Sequence, residues 1–146
     1  MAPIVEVNNL VKVFNGTVRA VDDISFSVDE GEIFGFLGPN GAGKTTTISI
    51  LTTLLKQTSG EARVGGYDIS QDPNEVRKII GLVPQDLTVD DDLTGRENMI
   101  LQGDLYNVPR KDTISRTDDL LKLVGLTGPA DRLVKTYSGG MRKRLE

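Results

Sequence analysis

A short glycine-rich segment carries the pattern most able to do chemistry. It reads Gly-Pro-Asn-Gly-Ala-Gly-Lys-Thr from Gly38 to Thr45, which is a glycine, four further residues and then Gly-Lys-Thr. Glycines let successive backbone N–H groups turn towards a phosphate, and Lys44 adds a positive charge beside them. The Thr45 hydroxyl can ligate Mg²⁺. The alternative is a glycine-rich turn that contains a lysine by chance, but the spacing favours binding of a nucleoside di- or triphosphate.

The flanking residues predict a strand before this segment and a helix after it. Residues 33–37 form an apolar run, Ile-Phe-Gly-Phe-Leu, which is typical of a strand covered on both faces. After Lys44, apolar residues recur at helical spacing at Ile48, Leu51 and Leu55, together with Thr52. In the order strand, loop, helix, the positive end of the helix faces the bound phosphates.

The remaining patterns indicate a mixed α/β chain with helices in its later part. Residues 24–28 alternate apolar and polar as a half-buried strand does, and Val11 and Val13 indicate a strand before them. A second buried-type strand is predicted at residues 79–83. Asp72-Pro73 has the order of an N-cap and a first-turn proline, so a short helix is predicted from there through residue 78.

The later helices are indicated by a capping pattern and by periodicity. Thr94 and Glu97 have the spacing of a capping box. A second helix is predicted from about Asp112 to Val124, and it carries the apolar residues Ile114, Leu120, Leu121 and Val124.

The composition excludes several kinds of chemistry. The 146 residues contain no Cys and no His, so disulfides, thiolate metal sites and imidazole bases are absent. The formal charge of −4 disfavours nucleic acid as a partner. No apolar run approaches the roughly 18 residues of a membrane span, and the first residues do not resemble a signal peptide. We therefore expect a cytosolic protein.

A second motif, Tyr-Ser-Gly-Gly-Met, occupies residues 137–141. By itself it is typical of a capped turn before a short basic helix. The glycine-rich segment at residues 38–45 is called the phosphate loop below. Together with that loop, and with Gln85 between the two motifs, the second motif resembles the ATP-binding domain of ABC transporters, whose signature is usually written Leu-Ser-Gly-Gly-Gln. Tyr137 stands where that signature has Leu and Met141 where it has Gln. This form is similar to the daunorubicin-resistance type of exporter ATPase.

The resemblance covers the whole chain and implies its fold. The fold class is α/β, the P-loop NTPase fold of ABC type, with a mixed β subdomain, a RecA-like core and a helical subdomain. It implies one partial domain, in which residues 1–93 form the β subdomain and the phosphate-loop core. Residues 94–137 then form the helical subdomain, and residues 138–146 begin the signature helix.

The resemblance also assigns roles to individual residues. Phe14 would stack on adenine and Val18 would pack near the ribose; the alternative for Phe14 is a rim or core residue. Gln85 would reach Mg²⁺ through its amide oxygen, and its loop would touch a membrane-spanning subunit. Lys44 and Gln85 are the predicted catalytic residues, and Thr45 and Gln85 the predicted Mg²⁺ ligands. The predicted ATP-binding residues are Phe14, Val18, Asn40, Gly41, Ala42, Gly43, Lys44, Thr45, Thr46, Ser138, Gly139 and Gly140.

Ser138, Gly139 and Gly140 would act on a second copy of the domain. In this family two ATP-binding domains associate head to tail, and the signature residues of one contact the γ-phosphate held by the other. The implied cofactors are ATP and Mg²⁺. The implied partners are a second ATP-binding domain and a membrane-spanning subunit, which would hold the protein at the inner face of the cell membrane.

Two charged runs are best explained as solvent-exposed segments. Asp90, Asp91 and Asp92 are consecutive, so their carboxylates point in different directions, and a solvated loop is favoured over a metal site. The basic run 142–144 is short for a nucleic-acid patch in a negative molecule, and we expect it to form the exposed face of the signature helix.

The chain lacks hydrolytic residues that the family carries after the signature. No apolar run is followed by Asp-Glu, and there is no switch His. We expect the chain to be the N-terminal part of a longer exporter ATPase. This part would bind ATP better than it hydrolyses it. Uncovered strands would make it self-associate or leave it marginally stable. The alternatives are a nucleotide-binding fragment without turnover and a soluble ABC ATPase of translation or DNA repair.

Overall fold

The computed structural model describes residues 3–146. The chain divides into two units, Met1–Leu82 and Val83–Glu146. The first contains β1 (Val5–Phe14), β2 (Val18–Val28), α1 (Lys44–Leu51), β3 (Ser59–Val64), β4 (Tyr67–Asp68) and α2 (Pro73–Ile79). The second contains α3 (Gly95–Leu105), α4 (Arg110–Leu123), a 3₁₀ turn (Val134–Thr136) and α5 (Gly139–Leu145).

The strands of the first unit form one antiparallel sheet in the order β2-β1-β3-β4. The β1–β2 hairpin turns through Asn15 and Gly16, whose positive φ angles of 50° and 73° suit the tight turn that joins twisted strands. Val7, Leu10 and Ala62 of the sheet pack with Ile50 of α1 and Val76 of α2. This core fixes α1, and therefore the segment before it, against the sheet.

Several sequence predictions for this unit are confirmed. β1 and β2 cover the predicted early strands, and α1 begins at Lys44. The helix after Asp72 begins with Pro73 as predicted, although the Asp72 side chain makes no capping hydrogen bond. α1 is shorter than its pattern suggests, because it ends at Leu51 and the chain then turns through Thr53 at a φ of 60°.

The two apolar runs predicted as buried strands do not form strands, so those predictions are wrong. Residues 32–39 and 80–84 carry no ladder pairing, and residue 79 ends α2. Ile33 is 99% and Leu37 is 96% exposed, while Phe34 stacks on Phe26 of β2. A strand exists only where its N–H and C=O groups pair with a neighbouring strand, and no described segment pairs with either run. The sheet is consequently antiparallel and not mixed.

The second unit begins α3 with the predicted capping box. The Thr94 hydroxyl accepts a hydrogen bond from the Glu97 N–H at 3.1 Å, and the Glu97 carboxylate accepts one from the Thr94 N–H at 2.8 Å. α4 matches its predicted helix closely, but the buried side chains at its turns are Thr113, Thr117 and Leu121, whereas Ile114 and Leu120 are exposed. The predicted helix is confirmed and its Leu121 is buried, while two threonines share the buried face with it.

The core of the second unit is small and apolar. It contains Leu121 of α4 and Leu145 of α5, with residues of the connecting segment between them: Leu126, Ala130, Val134 and Tyr137. Among the residues that the structure describes, no helix is both long and apolar enough to span a membrane.

The capping box generates a prediction about acid stability. Hydrogen bonds from the Thr94 N–H and then from its hydroxyl lower the pKa of the Glu97 carboxyl below its usual value. A lowered pKa in the folded state stabilises the fold above the ordinary carboxyl pKa of about 4.3, and this is lost as pH falls through the folded value. Glu97→Gln should therefore flatten the acid side of the stability profile measured by denaturant unfolding from pH 3 to 7. Asp119→Asn, at an exposed acid of α4, is the matched control; an equal flattening by both would contradict this assignment.

The uncovered apolar run of the first unit generates a second prediction. Because Ile33 and Leu37 are almost fully exposed, the 146-residue chain should self-associate through this run. Ile33→Glu with Leu37→Glu should lower the weight-average mass in sedimentation equilibrium. Leu123→Glu, which changes an exposed leucine of α4, should not. A wild-type chain that is monomeric with a high melting temperature would contradict this expectation.

Candidate functional site

The hairpin of the first unit presents an aromatic ring at its tip. Phe14 and Val18 are directly paired across the two strands, and they are 37% and 59% exposed. The turn is closed by a hydrogen bond from the Thr17 N–H to the Phe14 carbonyl at 3.1 Å. The two residues predicted to meet the base and the sugar are thus neighbours at the tip of the hairpin, and both are exposed.

Lys12 is a neighbour of this ring that sequence reasoning missed. Its Nζ lies 5.0 Å from the centroid of the Phe14 ring, within the range of a cation–π contact, and donates to the Lys56 carbonyl at 2.6 Å. Alternate residues of a strand share a face, so the period of two could have placed Lys12 beside Phe14.

The glycine-rich segment curves tightly before α1. Gly41 and Gly43 have φ angles of 84° and 83°, in the left-handed region that favours glycine. A Cβ on Gly43 would overlap the carbonyl oxygen of Ala20 in β2, whereas one on Gly41 would meet nothing within 4 Å. The backbone at residue 43 therefore lies directly against the sheet. This contact ties the start of α1 to the same strand that begins at Val18.

The Lys44 side chain folds back over the loop that precedes it. Its Nζ donates to the carbonyls of Gly38 and Pro39, each at 2.7 Å. The ammonium group is thus held at the mouth of the loop, where a phosphate would enter. The backbone of Ala42 donates to the Pro39 carbonyl at 3.3 Å and tightens the same turn.

The first turn of α1 divides its threonines between two roles. Thr47 is buried, and its hydroxyl bonds to the Gly43 carbonyl at 3.0 Å, so it anchors the helix start. Thr45 is exposed and Thr46 half-buried. The first N–H groups of a helix have no partner within it, and those of residues 44–46 lie next to the loop. An exposed hydroxyl and unpaired N–H groups here suit a phosphate with its Mg²⁺.

The second unit contains the other predicted residues. Gln85 is exposed, and the chain on both sides of it is held by α5. The Lys143 ammonium donates to the Pro84 carbonyl at 3.2 Å, and the Glu146 carboxylate accepts from the Thr88 N–H at 3.0 Å. The segment around Gln85 is consequently hydrogen-bonded to residues of the signature helix and its C-cap on both sides of Gln85.

The signature residues form the start of α5. Ser138 is the N-cap, and its hydroxyl accepts a hydrogen bond from the Met141 N–H at 3.3 Å. Gly139 and Gly140 are exposed, and a Cβ on either would meet nothing within 4 Å. The serine thus caps its own helix, and the two glycines leave its start open to a large ligand.

The charged runs are more ordered than their sequence suggests. Asp91 pairs with Arg142 at 3.2 Å and Asp92 with Lys135 at 3.0 Å. Within residues 3–146 no group of acidic residues is arranged to hold a metal ion. Two carboxylates of the acidic run are thus paired with basic side chains, and Arg142 is a contact residue of the signature helix as well as part of its surface.

Comparison with known proteins identifies the family. The ABC transporter family matches residues 21–146. The chain belongs to the ABC transporter family. A daunorubicin/doxorubicin resistance ATP-binding protein of Streptomyces peucetius is 47% identical over 142 residues, which is 97% of this chain and 43% of that protein. A linearmycin resistance ATP-binding protein of Bacillus subtilis is 40% identical over 140 residues, 96% of this chain and 45% of that protein.

Solved structures of ABC proteins share the fold. An ATP-binding subunit of an ABC transporter superposes with a TM-score of 0.80 at 26% identity, over 97% of this chain and 59% of that one. The protein cbiO1 of Clostridium perfringens, part of the ABC transporter complex cbiONQ, superposes with a TM-score of 0.85 at 24% identity, over 99% and 59%. The predicted α/β fold class and the predicted resemblance to daunorubicin-resistance ATPases are confirmed. The chain spans less than half the length of those curated ABC relatives.

The close approach of the Gly43 backbone to β2 can be tested with Gly41 as the matched control. Gly43→Ala and Gly41→Ala impose the same left-handed strain of about 1 kcal/mol, but only Gly43→Ala also drives a Cβ into the Ala20 carbonyl. Gly43→Ala should lower the free energy of unfolding by about 2 kcal/mol more than Gly41→Ala in urea titrations. Equal losses would show that the loop does not lie against β2.

Proposed function

We propose that this chain is the nucleotide-binding part of the ATP-binding subunit of an ABC exporter, and that the subunit couples ATP binding and hydrolysis to movement of a separate membrane-spanning subunit. The observation that carries the proposal is the glycine loop ending in Lys44, built on the same unit as the exposed Phe14 ring. The names of the similar proteins, which confer resistance to daunorubicin, doxorubicin and linearmycin, support export of a drug-like molecule.

The loop residues fit a triphosphate in shape and charge. The positive φ angles of Gly41 and Gly43 turn the backbone tightly before α1, and the N–H groups of residues 44–46 lie in the first turn of that helix, as a phosphate site requires. Lys44 would exchange its bonds to the Gly38 and Pro39 carbonyls for phosphate oxygens.

The base and the metal have candidate ligands in the first unit. The exposed ring of Phe14 offers a stacking face for adenine, with Val18 beside it for the sugar. The exposed hydroxyl of Thr45 offers a ligand to Mg²⁺, which when bound would neutralise charge on the phosphates. The role of Gln85 as a second Mg²⁺ ligand stays a prediction.

The second unit would supply the contacts between subunits. Ser138, Gly139 and Gly140 are open to solvent, as a surface that meets the nucleotide of a second copy must be. The Gln85 segment, held by α5, would face the membrane-spanning subunit. A subunit in such a complex works at the inner face of the cell membrane.

The 146 residues by themselves should hold ATP without turning it over efficiently. Hydrolysis needs an oriented water and a residue that responds to the γ-phosphate, in addition to a phosphate cradle. The chain has no His and no apolar run followed by Asp-Glu, the residues that supply those functions in the family. The resistance proteins, which match almost the whole chain, favour an exporter over a soluble ABC ATPase of translation or DNA repair.

Calorimetry with Mg-ATP tests the proposal. The wild-type chain should bind, and Lys44→Ala with Thr45→Ala should weaken binding at least about tenfold, since charged hydrogen bonds contribute about 1.5 to 3 kcal/mol each. Lys56→Ala, which removes an exposed side chain outside the loop, is the control. Equal affinity of wild type and the double variant would refute the phosphate-loop assignment. Steady turnover by the 146 residues that Lys44→Ala abolishes would refute the claim that further residues are required.

A further inference from the structure

A buried phenol lies directly before the signature serine. Tyr137 is 5% exposed, and its ring packs in the core of the second unit with Leu126 and Val134. Its hydroxyl donates to the Pro129 carbonyl at 2.7 Å, and its N–H donates to the Val134 carbonyl at 2.8 Å. The residue is thus fixed at its backbone and at the far end of its side chain. Burial raises the pKa of the phenol, so the hydroxyl keeps the proton that it donates.

Gly95 leaves the space that this hydroxyl occupies. Gly95 is the first residue of α3, and its φ angle is not positive, so the backbone there would suit any residue. A Cβ at this position would overlap the Tyr137 hydroxyl oxygen, while the ring carbon Cζ lies at 3.3 Å and the Ala130 carbonyl at 3.4 Å. Space, and not backbone conformation, therefore requires glycine at residue 95. Gly95 and Tyr137 are thus complementary in size.

The acceptor of the hydroxyl is itself held in place. The Arg96 N–H donates to the Ala130 carbonyl at 2.9 Å. The Arg96 guanidinium bonds to Asp131 at 2.8 Å and to Asp118 of α4 at 2.6 Å. Residues 129–131 are consequently tied to two helices. A hydroxyl bonded to this segment takes its position from α3 and α4.

We propose that Tyr137 is a positioning residue, which fixes Ser138, Gly139 and Gly140 through its hydroxyl bond to Pro129 in the space left by Gly95. Resting on the proposed function, this makes Tyr137 the residue that orients the signature turn towards the phosphates of a second copy. Leu, the usual signature residue here, could fill the core but could not make the bond. The hydroxyl contact is therefore a second anchor for the signature turn. Gly139 and Gly140, which follow Ser138, have no side chains that could provide one.

Two substitutions and their combination test the pairing. Gly95→Ala should lower the melting temperature by roughly 3 to 10 °C, as overpacking does. Tyr137→Phe removes the overlapping oxygen and leaves Cζ as the next atom, so Gly95→Ala combined with Tyr137→Phe should recover at least half of that loss. Gly103→Ala is the matched control, because a Cβ there would overlap Thr113 of α4 instead, and Tyr137→Phe should not rescue it. Equal behaviour of both glycine variants would overturn the pairing.

Amide exchange tests the positioning role without any nucleotide. Tyr137→Phe should raise the exchange rates of the Met141 and Arg142 amides, which donate to the Ser138 hydroxyl and carbonyl, about 2- to 10-fold, the value of one lost hydrogen bond. Amides in the middle of α4 should be unchanged. Tyr106→Phe, at a tyrosine that is 77% exposed, should change neither set. A uniform rise across the second unit, or no rise at residues 141 and 142, would show that Tyr137 only fills the core.

Kinetics of the full-length subunit with its membrane partner test the consequence for ATP. Tyr137→Phe should lower kcat about 2- to 10-fold while the affinity of one subunit for Mg-ATP stays unchanged, since Phe14 and Lys44 belong to the other unit. An equal kcat would overturn the role in orienting the turn towards phosphate. Failure of the wild type to bind ATP would instead overturn the proposed function, and the exchange rates would still decide whether Tyr137 positions the turn.

Discussion

The close approach between the backbone of Gly43 and the carbonyl of Ala20 determines the geometry of the first unit. No side chain fits there, so the loop can lie against β2 and α1 can begin at the edge of the hairpin. The same contact places Lys44 above the Gly38 and Pro39 carbonyls and keeps the loop on the strand that begins at Val18. The core beneath, with Ile50 and Val76 completely buried, holds α1 in that position.

The second unit depends instead on polar contacts arranged around a small core. Arg96 joins α3 to α4 and to the segment before the signature, and the Asp91–Arg142 pair joins the segment after Gln85 to α5. These exposed pairs contribute little free energy individually, about 0 to 1 kcal/mol each. Their value is geometric, since together with the buried Tyr137 hydroxyl they fix where the signature turn begins.

The sequence predicted local structure better than it predicted strand pairing. The helix that begins at Lys44, the capping box at Thr94 and the short helix after the Ser-Gly-Gly motif were predicted because each depends on residues within a few positions of one another. The runs 33–37 and 79–83 were predicted as strands from their apolar character, but a strand depends on a neighbour that the pattern does not contain. Contacts such as Gly95 with Tyr137, more than forty positions apart, carry no local signal. Lys12 beside Phe14 was within reach of the strand period.

We propose that Gly38–Thr45 is the phosphate site and the Phe14 hairpin the base site of one nucleotide. A titration of the isotope-labelled chain with Mg-ATP, followed by amide and aromatic NMR shifts, tests this assignment directly. We expect saturable shifts of the amides of residues 40–46 and of the Phe14 ring protons at one shared affinity. Saturable shifts confined to other residues, or shifts of the loop and of the ring at unrelated affinities, would contradict it.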